Sequence, residues 1–172
     1  MKNKDTVDRA FAVSEVRNMA YQFSDLYFTF VSELRERLGE DEAMKIATHV
    51  IFRRAAERAN AMVRRAQEEG VARVPENINK MTDVPFLGWD ESFERDTCPY
   101  GAAWNRRIAE NPWFRRFACL YCDVTDTTIA EIFTGCYSHR LYHNVLLGDR
   151  TCEREYFLSD AVKSGKYTYG TL

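Results

Sequence analysis

The stretch EDEAMKIATHVIFRRAAERANAMVRRAQEE, residues 40–69, decides the first half of the fold. It opens with three acidic residues, which the helix dipole favours at an N-terminus, and Gly70 follows it, as is typical of a helix end. Its apolar side chains return every three or four residues and are mostly alanines, so another element can approach this face closely. They are Met44, Ala47, Ile51, Ala55, Ala59, Met62 and Ala66.

Residues 7–38 carry a second amphipathic pattern, which Gly39 interrupts. Its apolar positions advance by alternating steps of four and three residues, and this spacing predicts one helical face. The positions are Val16, Ala20, Phe23, Tyr27, Phe30 and Leu34. Two such helices joined at a glycine predict an antiparallel helical hairpin over residues 7–70.

The composition narrows the class of protein. A chain of 172 residues fits one domain and can bury about 70% of its unfolded surface without disulfides or a metal. The formal net charge of −2 gives no surface-wide attraction to nucleic acid. The apolar run at residues 10–13 is too short for a signal peptide or a membrane span. We therefore expect a cytoplasmic chain with reduced cysteines and with neither a membrane nor a nucleic acid as partner.

The middle of the chain is predicted to be a connection followed by two helices. Residues 71–96 are punctuated by proline, asparagine and glycine, with a short strand expected at 93–97. Cys98-Pro99 predicts a helix over 99–109 with Cys98 as its N-cap. Asn111-Pro112 repeats that signal and predicts a helix that reaches about residue 133. Its threonines predict a break near 123–127.

The last segment alternates between apolar and polar side chains, which predicts strands over 137–147 and 152–158. The four residues between them, Gly148 to Thr151, are typical of a turn. This loop length places Leu147 opposite Cys152. By the same count Val145 lies opposite Arg154.

Together these elements predict a single α+β domain over residues 1–172. The helical hairpin of residues 7–70 is its scaffold, and residues 71–96 connect that scaffold to the rest. The hairpin packs on a small antiparallel sheet, with additional helices. Residues 97–158 carry the site, in a pocket between the sheet and the helices that begin at 99 and 112.

All five cysteines follow residue 97 and lie in short polar contexts. A thiol at a helix N-cap feels the positive end of the dipole, which favours the thiolate and makes Cys98 a candidate nucleophile. A small buried residue before a turn is the alternative. Cys122 and Asp126 share a helix face and could pair a thiol with a carboxylate. With Cys119 they could instead hold a metal.

The histidines and the turn residues complete the candidate set. His139 and His143 lie on one strand about 13 Å apart, too far for one ion, but either could act as an acid or a base. Asp149 could serve the turn or the chemistry, and Cys152 follows it. Cys-x-x-Cys at 119–122 has no second pair at zinc-site spacing. No metal is therefore predicted, and zinc stays an alternative.

Four motifs in this order resemble the L-2-amino-thiazoline-4-carboxylic acid hydrolase family over about residues 20–158. They are LGEDEAMKIATHVIFRRAAERA, CPYGAAW, YCDVTDTTIAEIF and LLGDRTCEREY. The resemblance implies a hydrolase that acts on carbon–nitrogen bonds of a cyclic amidine and turns a small-molecule substrate into a carbamoyl-cysteine. The chain departs from the family at 133–136, where Phe-Thr-Gly-Cys replaces a frequent aromatic-Asn-Pro stretch.

The resemblance also implies roles for the candidate residues. Either a thiolate or an activated water attacks the ring carbon, a histidine carries the proton, and an arginine pairs with the substrate carboxylate. The catalytic set is Cys98, Cys122, Asp126, His139, His143, Asp149 and Cys152, and the substrate-binding set is Arg154, Tyr121 and Trp104. A non-catalytic small-molecule sensor and a zinc-stabilised interaction protein are the alternatives, and a homo-oligomer stays open.

Overall fold

Two long helices form the first half of the fold. The computed structural model describes residues 6–89 and 98–170, so the strand expected at 93–97 lies outside the described residues. Helix α1 spans Arg9–Leu38 and α2 spans Glu40–Glu69. They meet at Gly39, whose φ of 81° is open to glycine at little cost, so one residue suffices as the connection. The predicted helical hairpin is confirmed.

Helix α2 buries the alanine-rich face that the sequence predicts. Every predicted position from Ala47 to Ala66 is buried, and Ala43 replaces the half-buried Met44 at the start of the row. This face packs along α5, which spans Phe114–Thr134. Small side chains let the two helix backbones approach each other, which explains why this is the most extensive helix contact of the described residues.

Helix α1 differs from its prediction. Its buried positions are Ala20, Ser24 and Val31, whereas the predicted core residues Phe23 and Phe30 are exposed. Ser24 tolerates burial because its hydroxyl donates to the carbonyl of Ala20 at 2.7 Å. The helix presents apolar side chains on two sides, and spacing alone could not separate them.

The connection contains short helical pieces. A 3₁₀ turn at Pro75–Asn77 leads into α3 (Ile78–Met81), and a second at Phe86–Gly88 lies against α1. Helix α4 then spans Pro99–Glu110. Cys98 is its N-cap, as predicted, and its Sγ accepts a hydrogen bond from the backbone N–H of Gly101 at 3.3 Å.

Helix α5 runs unbroken, so the break predicted near 123–127 is wrong. Thr125, Thr127 and Thr128 are all buried in it. Their low helix propensity costs only a few tenths of a kcal/mol each, and packing against α2 and the sheet outweighs that cost.

Strands β1 (Tyr137–His143) and β2 (Glu153–Leu158) form a two-stranded antiparallel sheet against α5. The predicted register is wrong by four residues, because Leu141 rather than Val145 lies opposite Arg154. The difference arises because Val145–Leu147 form a 3₁₀ turn instead of continuing the strand, and because the pairing is irregular after Leu141. Since four is even, the paired residues 137–141 and 154–158 keep their predicted face of the sheet, whereas His143 lies opposite Glu153 after the irregularity.

The chain closes with α6 (Asp160–Lys163) and a segment that is tied to α5. Thr168 donates its backbone N–H to the buried carboxylate of Glu131 at 2.8 Å, and Tyr169 donates its hydroxyl to Asp123. The predicted α+β class, with a helical hairpin, a small antiparallel sheet and additional helices, is confirmed. Among the described helices, none combines the length and the apolarity that a membrane crossing requires.

Candidate functional site

Three cysteines and one ion pair meet where α4, α5 and the β-hairpin join. Cys98 caps α4, Cys122 lies on α5, and Cys152 precedes β2. Negative charge on Asp126, Cys98 or Cys152 would raise the pKa of Cys122, which places these groups in one electrostatic neighbourhood. We call Cys98, Cys122, Cys152, Asp126 and Arg154 the junction cluster. The structure thus brings together residues spread over more than fifty positions.

The contact between α4 and the turn before β2 holds this junction together. A Cβ placed on Gly101 would lie 2.9 Å from a methyl carbon of Val145 and 3.7 Å from Cys98 Sγ. Any larger residue at 101 would therefore push the first turn of α4 away from the hairpin. Asn105 adds a hydrogen bond from its side-chain amide to the carbonyl of Val145 at 3.3 Å.

The junction thiols are protonated at neutral pH. Burial raises the pKa of Cys98, and the hydrogen bond from Gly101 only partly offsets it, so the prediction of a stabilised Cys98 thiolate is wrong. Burial also raises the pKa of Cys152, and it raises that of Cys122 strongly, with the charge of Asp126 adding to the effect. One turn earlier, burial raises the pKa of Cys119 to about 11.

Asp126 and Arg154 form the charged part of the junction. Arg154 Nη1 lies 3.3 Å from Asp126 Oδ2, and the two side chains are 32% and 30% exposed. Asp126 lies one turn beyond Cys122 on α5, and Arg154 reaches it from β2. The Asp126 carboxylate raises the pKa of Arg154 further, so the guanidinium stays charged.

His139 lies beside the junction, on β1. It is 5% exposed, and its Nδ1 lies 3.3 Å from Thr127 Oγ1. Its Nε2 is buried and has no hydrogen-bond partner within residues 6–89 and 98–170. Burial lowers the pKa of His139 and the negative charge of Asp126 opposes that shift, so the imidazole is neutral at pH 7.

The hairpin turn holds the two remaining catalytic candidates. His143 is 55% exposed, and its Nδ1 lies 3.5 Å from Asp149 Oδ1. Asp149 Oδ2 accepts the backbone N–H of Asn144 at 2.8 Å, which fixes the turn. Asp149 thus holds the turn, and its negative charge also raises the pKa of Cys152, whereas His143 is mostly in solvent. The expected catalytic roles of both residues stay predictions.

The two aromatic candidates differ in access. Trp104 is completely buried, stacks on Tyr100 with ring centroids 5.3 Å apart, and donates its indole N–H to the carbonyl of Ser24. Its expected contact with substrate is therefore corrected to a place in the core. Tyr121 is half-buried, with its ring centroid 5.5 Å from that of Phe23, and it remains a candidate wall beside Cys122.

Sequence reasoning missed Arg58 and Tyr156. Arg58 of α2 is largely buried and pairs with Asp83, with its Nη2 2.6 Å from Oδ1. Its charge lowers the pKa of Tyr121 against the larger effect of burial, which places it near the junction. Tyr156 of β2 hydrogen-bonds Arg154. Arg58 lies one residue before a buried alanine of α2, and this edge position was the only signal in the sequence.

A surface depression of about 240 Å³ lies apart from the junction cluster and shares no residue with it. Its lining comes from α1 and α4 and includes Asp25, Arg106 and Arg107. Asp25 Oδ1 accepts hydrogen bonds from Arg107 Nε and Nη2 at 3.0 and 2.8 Å. Two of its charged side chains, Asp25 and Arg107, are thus paired with each other.

Within the described part of the chain, no three His, Cys, Asp or Glu side chains are arranged to hold a metal ion. Comparison of the chain with models of protein families, with curated proteins and with solved structures finds no match.

Proposed function

We propose that this chain is a hydrolase that opens a small cyclic amidine bearing a carboxylate, with L-2-amino-thiazoline-4-carboxylate as the representative substrate. The observation that supports it is the junction cluster, where three protonated thiols adjoin the Asp126–Arg154 pair. Polarisable sulfur suits a ring that contains sulfur, and a guanidinium suits a carboxylate. Three of the four motifs that resemble the family supply the three segments that form this junction.

Water rather than a thiolate is the proposed nucleophile. Burial raises the pKa of each junction thiol, so little thiolate exists at neutral pH. Asp126 is the charged acceptor beside them and takes a proton from water as the oxygen attacks the ring carbon between nitrogen and sulfur. That proton passes to the ring nitrogen.

The ring then opens at one of two bonds. Loss of the carbon–sulfur bond gives N-carbamoyl-cysteine, and loss of the carbon–nitrogen bond gives S-carbamoyl-cysteine. In both cases the second proton of the water ends on the departing atom, so the reaction consumes one water and no other reagent. A thiol-specific reagent distinguishes the two products because only the first carries a free thiol.

Arg154 is the proposed carboxylate anchor. Its planar guanidinium offers five donors in a fixed fork, so one edge can contact Asp126 while another contacts the substrate. Tyr156 orients it from the same strand. His139, neutral and buried near Asp126, is the proposed relay that carries this proton from the carboxylate to the ring nitrogen.

Ring opening by purified protein tests this proposal, with product identified by mass spectrometry. Asp126→Asn should lower kcat about 100-fold or more, since it removes the general base. Arg154→Lys should raise KM more than it lowers kcat, because bidentate contact is lost. Cys136→Ser is the matched control, a half-buried cysteine outside the junction cluster. Absence of activity in the unmodified chain, or full activity in Asp126→Asn, would overturn the proposal.

A small-molecule-binding or sensor domain is the second candidate. The raised thiol pKa values favour it, because protonated thiols can line a binding site without reacting. Such a domain would return the thiazoline unchanged after prolonged incubation and would lose affinity in Arg154→Lys. Metal analysis of the purified chain separates the zinc-stabilised alternative, which predicts one equivalent of zinc.

A further inference from the structure

Residues 167–170 form a single layer over α5, and we call them the strap. They make a turn that is closed by a hydrogen bond from the backbone N–H of Gly170 to the carbonyl of Tyr167 at 3.1 Å. Thr168 is exposed, whereas Glu131, to which it is bonded, is only 1% exposed. One layer of chain therefore separates this buried carboxylate from solvent.

Two carboxylates of α5 hold the strap. Glu131 accepts the backbone N–H of Thr168 at 2.8 Å and its hydroxyl at 2.5 Å. Asp123 accepts the hydroxyl of Tyr169, and because burial and this hydrogen bond raise the pKa of Tyr169, the hydroxyl keeps its proton. The segments of a protein that open locally are those with exposed backbone and few buried contacts, and the exposed Thr168 and Gly170 give the strap this character.

His139 lies on the same face of α5 as the strap. Asp123, Thr127 and Glu131 follow one another at intervals of four residues, so their side chains project from one side of the helix. The strap bonds the two ends of this row, and the imidazole of His139 contacts its middle, with Nδ1 3.3 Å from the hydroxyl oxygen of Thr127. Ser138, next to His139, donates its hydroxyl to Glu131 at 2.7 Å and so shares that carboxylate with the strap.

We propose that the strap is a movable cover that keeps the His139 imidazole neutral, and that opening of the strap shifts this residue toward its charged form. The consequence for activity rests on the proposed function, in which the neutral imidazole takes a proton from Asp126. A charged imidazole has no free nitrogen lone pair and cannot accept that proton. Opening of the strap therefore stops the relay, which makes the strap a regulatory element of the same site.

Opening of the strap affects His139 in two ways that have the same sign. Water that replaces the strap weakens the effect of burial, which lowers the pKa of His139. Loss of the Tyr169 hydroxyl leaves the full negative charge of Asp123 near the imidazole, and that charge raises the pKa of His139. Both changes move the pKa of His139 up, toward its ordinary value of 6.5.

The other groups that face His139 belong to α5 and β2. Asp126 raises the pKa of His139 and Arg154 lowers it, and these two side chains pair with each other at 3.3 Å. Because this pair joins α5 to β2, its effect stays when the strap opens. Tyr156 lies beside the imidazole with ring centroids 5.6 Å apart, and because burial raises the pKa of Tyr156, it adds no charge at neutral pH.

Titration of the histidines by NMR in the full chain tests the proposal. Thr168→Asp places a like charge against Glu131 and should open the strap, so that the pKa of His139 rises toward 6.5. The backbone N–H of residue 168 should then exchange at least about 5-fold faster, the factor that corresponds to one lost hydrogen bond. Thr168→Ser keeps both donors to Glu131 and should change neither result. The exposed His49 of α2 is the internal reference for the titration.

A second variant tests the hydrogen bond to Asp123. Tyr169→Phe removes only that donor, so it should raise the pKa of His139 less than Thr168→Asp does, and in the same direction. Tyr142→Phe is the matched control, because Tyr142 is 53% exposed and donates its hydroxyl to Glu155, outside the strap. It should leave the titration of His139 unchanged.

Activity gives a separate result. In an active chain, Thr168→Asp should raise the pH below which kcat falls, and it should leave kcat unchanged at alkaline pH, where the imidazole is neutral with the strap open or closed. If the unmodified chain does not open the ring, the proposed function fails, but the NMR titration still decides whether the strap controls His139.

Two results would overturn the proposal. The first is an unchanged pKa of His139 in Thr168→Asp although the N–H of residue 168 exchanges faster. The second is unchanged exchange in both Thr168→Asp and Tyr169→Phe, which would show that these contacts do not hold the strap. Urea midpoints show whether each variant is folded, and Tyr169→Phe decides the question if Thr168→Asp unfolds.

Discussion

The junction cluster and the hairpin turn contain the same kinds of residues in different surroundings. At the junction, Asp126 pairs with Arg154 with about a third of each side chain exposed. At the turn, His143 lies near Asp149 and Glu153 but is mostly in solvent. Only seventeen residues separate Asp126 from His143. The Asp126 and Asp149 side chains are similarly exposed, at 30% and 38%, so the two regions differ in the partner: a guanidinium that is 32% exposed at the junction and an imidazole that is 55% exposed at the turn.

The largest predicted effect is the slow alkylation of the buried thiols in the folded chain. A Cys119 pKa of about 11 instead of 9.0 means about 100-fold less thiolate at pH 8. Iodoacetamide should therefore alkylate Cys119 at least about 100-fold more slowly in the folded chain than in urea. Peptide mapping by mass spectrometry reads each site separately, and Cys98, Cys122 and Cys152 should also be slow. Rapid alkylation of Cys122 in the folded state would contradict the account.

The second-largest predicted effect is a difference in coupling energy between the ion pair of the junction and that of the turn. A double-mutant cycle with Asp126→Asn and Arg154→Met should give a coupling of about 1–3 kcal/mol in the free energy of unfolding, between the values of exposed and buried pairs. The cycle with Asp149→Asn and His143→Ala should give below about 0.5 kcal/mol. Urea unfolding at pH 7 measures both, and equal couplings would remove the distinction between the two regions.

The decrease in the free energy of unfolding at mildly acidic pH should depend on His139. Because burial lowers its pKa in the folded chain, the unfolded chain binds the proton more readily below about pH 6.5. The free energy of unfolding is therefore highest above that pH and falls as the pH drops through it. His139→Gln should flatten this decline between pH 7 and 5, whereas His143→Gln should leave it in place.

The smallest effect should come from the turn. Asp149→Ala removes the acceptor for the Asn144 N–H and should cost about 0.5–1 kcal/mol of stability. Asp149→Asn keeps an acceptor oxygen and should cost less. Neither change should alter ring opening. A loss of activity in Asp149→Asn with unchanged stability would show instead that this carboxylate takes part in the reaction.

The sequence predicted those features of the fold that depend on local patterns of residues. The alanine row of α2, the Cys98 cap and the shared face of the paired residues 137–141 and 154–158 follow from spacing and turn chemistry. Long-range contacts decided the rest. Packing against α2 and the sheet keeps the threonines of α5 helical, and a 3₁₀ turn shifts the strand register by an even number. The Asp126–Arg154 pair depends on that register, so spacing alone could not reveal it.

The charge state of the thiols also depends on long-range packing and could not be predicted from local sequence. A helix N-cap predicts a lowered pKa for Cys98, and its hydrogen bond from Gly101 is present. Burial outweighs that hydrogen bond, and burial depends on how α4, α5 and the hairpin pack. The preference for water over a thiolate nucleophile therefore rests on packing that no local motif encodes.

Amide chemical-shift mapping tests most directly whether the junction is the ligand site. The ¹⁵N-labelled Asp126→Asn chain, which should bind without turnover, is titrated with L-2-amino-thiazoline-4-carboxylate. We predict saturable shifts centred on Cys122, residue 126 and Arg154, with small changes at Asp149. Shifts centred on the hairpin turn, or no shifts at millimolar ligand, would contradict the assignment of the junction cluster as the site.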